Sequence, residues 1–412
     1  MAKKKLVGAC LLAQSGGPTA VINASAAGVF LEALNNDCIT NVYAAAYGVA
    51  GILGDEIYDM GQEDLSELEL LKNTPSSALG SARYKLKDFG TDSREYERIL
   101  EVFRKYNIRY FFFNGGNDSM DTCNKISKYM KSEGYECRII GIPKTVDNDL
   151  MFTDHCPGYG SAARYIATTM MEIGLDARVY DITSVTVVEI MGRNAGWLTA
   201  AASLAGESKP DLIYLPEIPF STSKFIADVG AVLKKKRNCL IAISEGLRTR
   251  EGQYITDMTA GVDHFGHTQL GGAGEFLEDI VRREFGCKCR SIEFSLMQRS
   301  AAHLASQTDI DEAFEAGRMA VKWAVKGESD KMVILVRDQD EKGQYKCRYE
   351  LAELAYIANI EKKFPREWIS EDGTAIMPAY FEYAMPLIQG VPELRYENSL
   401  PRFARLKKVR AK

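Results

Sequence analysis

No apolar run in the 412 residues approaches the roughly 20 that a membrane-spanning helix needs. No long block of one charge stands out either. The formal net charge of -5 is spread along the chain, which argues against a nucleic-acid surface and against adhesion to anionic lipid. Histidine is scarce, with four residues, and none is spaced around Cys287 and Cys289 as a zinc site would require. The nine cysteines are odd in number and scattered, so they read as free thiols in a reducing cytoplasm. No Gly-x-Gly-x-x-Gly follows the first apolar stretch, which removes the main support for a nicotinamide-binding oxidoreductase. No short-period repeat is visible.

What remains is 46% apolar residues, enough for sizeable cores in two or three domains. Lys3-Lys4-Lys5 and the apolar residues after them superficially resemble a signal peptide. That stretch is short, contains Gly8, and runs straight into Gln14-Ser15-Gly16-Gly17, so a first buried strand over 5–13 is expected instead. A helix is expected over 20–34 and a strand over 39–46. The stretch 74–83, rich in small residues and ending in Arg83, suits either a phosphate contact or a surface turn with a solvated arginine.

Helical spacing over 91–106 leads to the apolar strand 109–113, then Asn114-Gly115-Gly116-Asn117-Asp118-Ser119, and a helix over 120–133 that Asp118 or Ser119 is placed to cap. After the next strand comes Pro143-Lys144-Thr145-Val146-Asp147-Asn148-Asp149, with two carboxylates two residues apart beside an ammonium. Three successive strand ends therefore carry glycine-rich or carboxylate-rich turns. Each glycine turn alone serves tight turning as well as it serves an anion. In a parallel sheet, however, all three converge on one crevice at the carboxyl edge. That composition suits phosphoryl transfer to a hydroxyl.

The second half continues the rhythm. Helices are expected over 161–176, 193–205, 223–237, 274–285 and 309–326, with strands over 184–190, 211–215, 239–244, 290–294 and 332–337. Lys234-Lys235-Lys236-Arg237 suits the negative end of its helix. A further helix is expected over 350–363, followed by an irregular, aromatic-rich tail.

Six motifs, in order, resemble the phosphofructokinases over about the first 330 residues: Gln14-Ser15-Gly16-Gly17, Gly80-Ser81-Ala82-Arg83, Gly115-Gly116-Asn117-Asp118-Ser119, Pro143 to Asp149, Gly158-Tyr159-Gly160-Ser161-Ala162-Ala163, and Met191-Gly192-Arg193. Within that family they look like the diphosphate-dependent branch. The resemblance implies two doubly wound, Rossmann-like α/β domains with the active site in the cleft between them. It also implies a discontinuous division: 1–157 with about 299–330 binding the phosphoryl donor, 158–298 binding the sugar phosphate, and 331–412 as an extension packed on the second domain or at a subunit contact.

By the same resemblance, Asp147 accepts the proton of the sugar's 1-hydroxyl, Asp149 helps to hold Mg²⁺, and Gly16, Gly17 and Arg83 bind the donor. Thr145, Met191, Gly192, Arg193, Glu245, Arg290 and Arg299 are assigned, with the two aspartates, to fructose 6-phosphate. ATP-using relatives carry glycine at the positions of Asp118 and Lys144. A carboxylate and an ammonium there would crowd a nucleotide's α-phosphate and neutralise diphosphate. Three positions depart from the family pattern. Asn117 stands where many members have an aspartate facing the metal, Leu296 replaces a histidine, and Ser184 replaces an arginine that reaches across a subunit boundary. A homo-oligomer, dimer or tetramer, is implied. The alternatives are an ATP-dependent enzyme on the same fold and a non-catalytic regulatory subunit, against which an intact Asp147 argues.

Overall fold

The computed structural model describes residues 6–179, 181–259, 261–262, 268–269, 272–357 and 360–412. Lys3-Lys4-Lys5, the first residue of the expected opening strand, and residues 358–359 of the expected late helix lie outside that set.

The first lobe opens with strand β1 (Gly8–Gln14), helix α1 (Ile22–Leu34), β2 (Ile39–Ala45) and a short β3 (Ile57–Asp59). Then come α2 (Arg94–Lys105), β4 (Ile108–Gly115), α3 (Asn117–Ser132) and β5 (Arg138–Pro143). Every residue of β1 is buried, as a central parallel strand covered on both faces requires. On α2, Ile99 and Phe103 face the core, while Glu95 and Glu97 in the first turn and Arg104 and Lys105 in the last complement the helix dipole.

The second lobe holds α4 (Tyr159–Asp176), β6 (Ser184–Ile190), β7 (Leu212–Tyr214), α5 (Thr222–Leu233), β8 (Asn238–Ser244), α6 (Ala273–Phe285) and β9 (Lys288–Glu293). The chain then returns through α7 (Gln307–Val325) to β10 (Lys331–Gln339) and β11 (Tyr345–Glu353), and later forms α8 (Pro378–Ala384). The first sheet runs β11-β10-β5-β4-β1-β2-β3, and the second β9-β6-β8-β7. All pairings are parallel except β2 with β3 and β10 with β11 at the two edges of the first sheet. The carboxyl ends of β5, β4 and β1 are thus neighbours, and so are those of β9, β6 and β8.

Helix α7 packs on α1 with almost no side chain between their backbones. A Cβ on Gly28 would lie 2.1 Å from the Phe314 carbonyl, and one on Gly317 2.1 Å from that of Ser25. That contact seats the returning chain on the first lobe.

Several expectations need correction. The helix expected from residue 120 starts at Asn117, and its cap position is Gly116, with no side-chain cap from Asp118 or Ser119. Ser119 is drawn under the glycine turn instead, where a Cβ on Gly115 would clash with its hydroxyl at 2.0 Å. Of the helix expected over 193–205, only Trp197–Ala200 is α-helical, followed by a tighter turn over Ala201–Leu204. The helix expected from residue 350 is β11 through Glu353 and a single turn, Leu354–Ile357. Its period-two pattern was present in Tyr345, Cys347, Tyr349 and Leu351; the last three pack on the first lobe's core as an edge strand's inner face does, and Tyr345 on the core around α4.

Beyond the two edge strands, the last residues reach both lobes. Phe364, Ile369, Tyr380, Ala384 and Leu387 join the core around α4. Farther on, Arg402 pairs with Glu67, and the backbone N–H of Asp59 donates to the Val409 carbonyl at 2.8 Å.

Candidate active site

The glycine turn after β1 forms the floor of one side of the cleft. Gly16 has φ of +80°, a left-handed value that glycine adopts without steric cost. A Cβ there would come within 3.1 Å of the Lys144 ammonium, and one on Gly17 within 2.9 Å of the Arg299 guanidinium, so both glycines leave room for cations. The Lys144 ammonium donates to the Gly17 carbonyl at 2.7 Å, while its backbone N–H donates to Gly115 at 3.1 Å. Lys144 thereby ties together the ends of β1, β4 and β5. The residue is only 3% exposed. Burial lowers its pKa to about 8 against the pull of Asp147 and Asp149.

The loop after β5 is organised around Asn148, which is fully buried at φ +55°. Its carbonyl accepts from the Cys156 N–H at 2.9 Å, and its amide donates to the Tyr383 hydroxyl at 2.8 Å. The carboxylates on either side keep part of their surface open to the cleft, but protein surrounds most of each. Burial, then Glu245, raises the Asp147 pKa, with Lys144 and Arg299 opposing. Burial and the Asp147 charge carry Asp149 up to about 6. Thr145 accepts from the Asp147 N–H at 3.1 Å.

Across the cleft, Gly192 at the end of β6 donates its N–H towards Glu245 at 3.4 Å, and the Met191 N–H donates to Gln298 at 3.3 Å. Burial raises the Glu245 pKa. Arg299 feels burial first and then Arg83, Asp147 and Glu245, so residues from both lobes share one electrostatic neighbourhood. Arg193 is exposed and donates to the Tyr254 hydroxyl at 3.1 Å, its guanidinium 4.7 Å from that ring.

Gly16, Gly17, Arg83, Lys144, Thr145, Asp147, Asp149, Met191, Gly192, Glu245 and Arg299 are therefore brought together at the two facing strand edges. Arg290 is not among them. It stands on edge strand β9, 4.0 Å from Asp176, in a cavity of about 280 Å³ shared with Ser184 and Lys288. Its residue type suited a phosphate, but strand alternation and register set it beside α4. Asp118 is exposed in the first turn of α3. The Asn117 amide donates to the Ile360 carbonyl at 2.6 Å, so its nitrogen is committed to the tail.

Sequence reasoning missed the tail's part in the site. The backbone N–H of Lys362 donates to the Asp149 carbonyl at 2.7 Å. Glu361 bonds Asn194 at 3.0 Å and Lys363 at 2.9 Å and adds negative charge near both aspartates. No spacing rule points at these residues. Their segment is irregular and lies some 200 positions from the loop it serves.

The phosphofructokinase family model matches residues 9–308, most of the chain. This chain belongs to the phosphofructokinase family. A relative from Halomonas elongata named pyrophosphate–fructose 6-phosphate 1-phosphotransferase is 45% identical, over 97% of this chain and 96% of its own length. One of the same name from Methylococcus capsulatus is 42% identical, over 96% of this chain and 94% of its own. Among solved structures, a pyrophosphate-dependent phosphofructokinase from Nitrosospira multiformis superposes with a TM-score of 0.89 at 40% identity, covering 98% of this chain and 97% of that one. In this phosphofructokinase-family fold, two largely enclosed carboxylates, one desolvated ammonium and flanking arginines can hold a polyanion and take a proton from a hydroxyl beside it.

Among the described residues, no group of three or more His, Cys, Asp or Glu is arranged to hold a metal unaided. The Asp147 and Asp149 pair nevertheless suits a dication that arrives with a polyphosphate. Both carboxylates are held above their ordinary pKa by burial and like charge, and a nearby cation relieves both causes.

Proposed function

We propose that this enzyme transfers a phosphoryl group from inorganic diphosphate to the 1-hydroxyl of fructose 6-phosphate, giving fructose 1,6-bisphosphate and phosphate, and that it runs in both directions. The observation that carries the donor assignment is Lys144, a residue 3% exposed whose ammonium lies 2.7 Å from the Gly17 carbonyl, at a position where ATP-using relatives carry glycine. A charge so poorly hydrated is worth most to a compact, highly charged donor. A nucleotide would meet this bulk together with the Asp118 carboxylate.

In the forward reaction Asp147 takes the proton as the 1-hydroxyl oxygen attacks phosphorus. Its raised pKa makes it a better base than an ordinary aspartate. Lys144, Arg83 and the Gly16 and Gly17 backbone hold the donor and balance the charge on the transferring group. Glu245 accepts hydrogen bonds from sugar hydroxyls. Met191, Gly192, Arg193, Thr145 and Arg299 fix the sugar phosphate against Asp147, which converts a bimolecular encounter into an oriented one.

Asp149 would hold Mg²⁺, with the Asn117 carbonyl as an uncharged neighbour. When bound, the ion supplies positive charge to the phosphoryl oxygens. Arg290 can serve the 6-phosphate only in the cleft of a second copy, which makes a homo-oligomer part of this reading. Nine free thiols accord with a reducing cytoplasm, where the reaction would operate in glycolysis and gluconeogenesis.

A coupled assay with diphosphate and then ATP at equal concentration is the direct test. Turnover with diphosphate well above that with ATP is expected. Preference for ATP would overturn the donor assignment.

A further inference from the structure

The loop that carries Asp147 and Asp149 leaves several backbone and side-chain polar groups to be satisfied from outside, and the C-terminal tail satisfies them. Lys362 donates its backbone N–H to the Asp149 carbonyl at 2.7 Å. Its ammonium donates to the carbonyls of Thr153 at 3.1 Å and Asp154 at 2.6 Å. The Tyr383 hydroxyl donates to the same Asp154 carbonyl at 2.8 Å and accepts from the Asn148 amide at 2.8 Å. One phenol thus spans the loop from the residue between the two aspartates to a point six residues downstream.

The clamp is itself held rigidly. The Tyr383 ring packs against Trp197, Trp368, Tyr159 and Tyr380. Arg337 from β10 donates to the Tyr383 carbonyl at 2.9 Å and pairs with the Asp154 carboxylate at 3.1 Å. Lys362 lies 5.0 Å from the Trp197 ring, and the Trp197 indole donates to the Lys362 carbonyl at 3.2 Å. Both clamp residues lie beyond residue 308, where the match to the family model ends.

We propose that Tyr383, with Lys362, is a positioning residue for phosphoryl transfer: the tail grips Asn148 and the Asp149 and Asp154 carbonyls, and so fixes Asp147 and Asp149 against the donor and the sugar. Neither residue touches substrate in this account. Both act through the loop, whose register they set. A general base displaced by a fraction of its hydrogen-bond length loses rate before it loses ligand, because binding is spread over many groups and proton transfer over one.

The inference rests on the diphosphate reading above, and wild-type turnover with diphosphate, run beside the variants, tests that reading separately. Tyr383→Phe keeps the ring and removes only the hydroxyl. It is expected to lower kcat by roughly tenfold to a hundredfold, with the KM for both substrates unchanged. Asn148→Ala removes the other end of the bond and should cost a similar factor. The double variant should be slower than either single one by less than the product of their two factors, since both changes break the Asn148–Tyr383 bond while each also removes one bond of its own, to Asp154 or from Cys156. Lys362→Met, which keeps the stem on Trp197, is an independent probe should Tyr383→Phe fold poorly, and should also lower kcat at constant KM. If Tyr383→Phe only lowers the melting temperature, with kcat and KM as in the wild type, or if the Tyr383 and Asn148 effects multiply fully, the tail merely stabilises the fold and the proposal is wrong. An inactive wild type would instead refute the donor reading.

Discussion

Lys144 on one wall of the cleft and Arg193 on the other are handled in opposite ways. On the wall proposed to take the donor, the donor wall, the ends of β1, β4 and β5 bury Lys144 almost completely and give its ammonium a carbonyl in place of water. On the facing wall, proposed to take the sugar and so the sugar wall, Arg193 is exposed and laid against the Tyr254 ring. A desolvated charge discriminates strongly, because its interaction with a ligand is little screened, but it weakens the free protein. A solvated guanidinium contributes direction and modest affinity at small cost. On the proposed reading, selectivity is therefore concentrated on the donor wall, and binding is distributed over the sugar wall.

The largest effect should come from the group that both walls serve. Asp147→Asn is expected to lower kcat by about 10²–10⁴ while calorimetry still detects fructose 6-phosphate binding. Retained turnover would move the base elsewhere. Next is the pH dependence of kcat/KM for diphosphate, which reports the free enzyme. Asp149 must be ionised and Lys144 protonated, so activity should rise as pH passes about 6 and fall as it passes about 8. In Lys144→Met the alkaline limb should vanish along with most of the donor affinity. A limb that persists would mean that Lys144 is not the titrating group.

Stability supplies a contrast of opposite sign. The folded-state pKa of Asp149 lies above its ordinary 3.8, at about 6, so the native state binds more protons than the unfolded one between those values. Stability of the ligand-free enzyme should therefore fall as pH rises through that window. Asp149→Asn should flatten this slope and raise the denaturation midpoint at pH 7, by the equivalent of about 1–3 kcal/mol, while activity drops. Smallest is Arg193→Ala on the open wall, where the KM for the sugar phosphate should rise by about fivefold or less with kcat preserved. A loss as large as that of Lys144→Met would erase the distinction between the walls.

The donor wall was the more legible of the two in the sequence. Continuous apolar runs mark β1, β4 and β5, and the glycine and carboxylate turns after them fall at neighbouring strand ends because parallel strands share one polarity. The sugar wall was legible by residue type but not by direction. Arg290 and Arg299 look alike in sequence, yet one sits beside Asp176 on an edge strand and the other beside Gly17, a difference decided by strand register and the return of the chain. Least legible was the tail. Lys362 and Tyr383 reach the catalytic loop through contacts more than 200 positions apart, and no local periodicity encodes such pairing. The edge strand β11 did carry its period-two signal, but its charged outer face also suited a helix.

Donor choice is proposed to rest on Lys144 and Asp118 excluding a nucleotide, and the most direct measurement is the ratio of kcat/KM for diphosphate to that for ATP in the wild type and in Asp118→Gly with Lys144→Gly. Removing both side chains should lower this ratio by at least about tenfold through a gain in ATP use as well as a loss with diphosphate. If the variant loses diphosphate activity and gains none with ATP, bulk and charge at these two positions do not choose the donor.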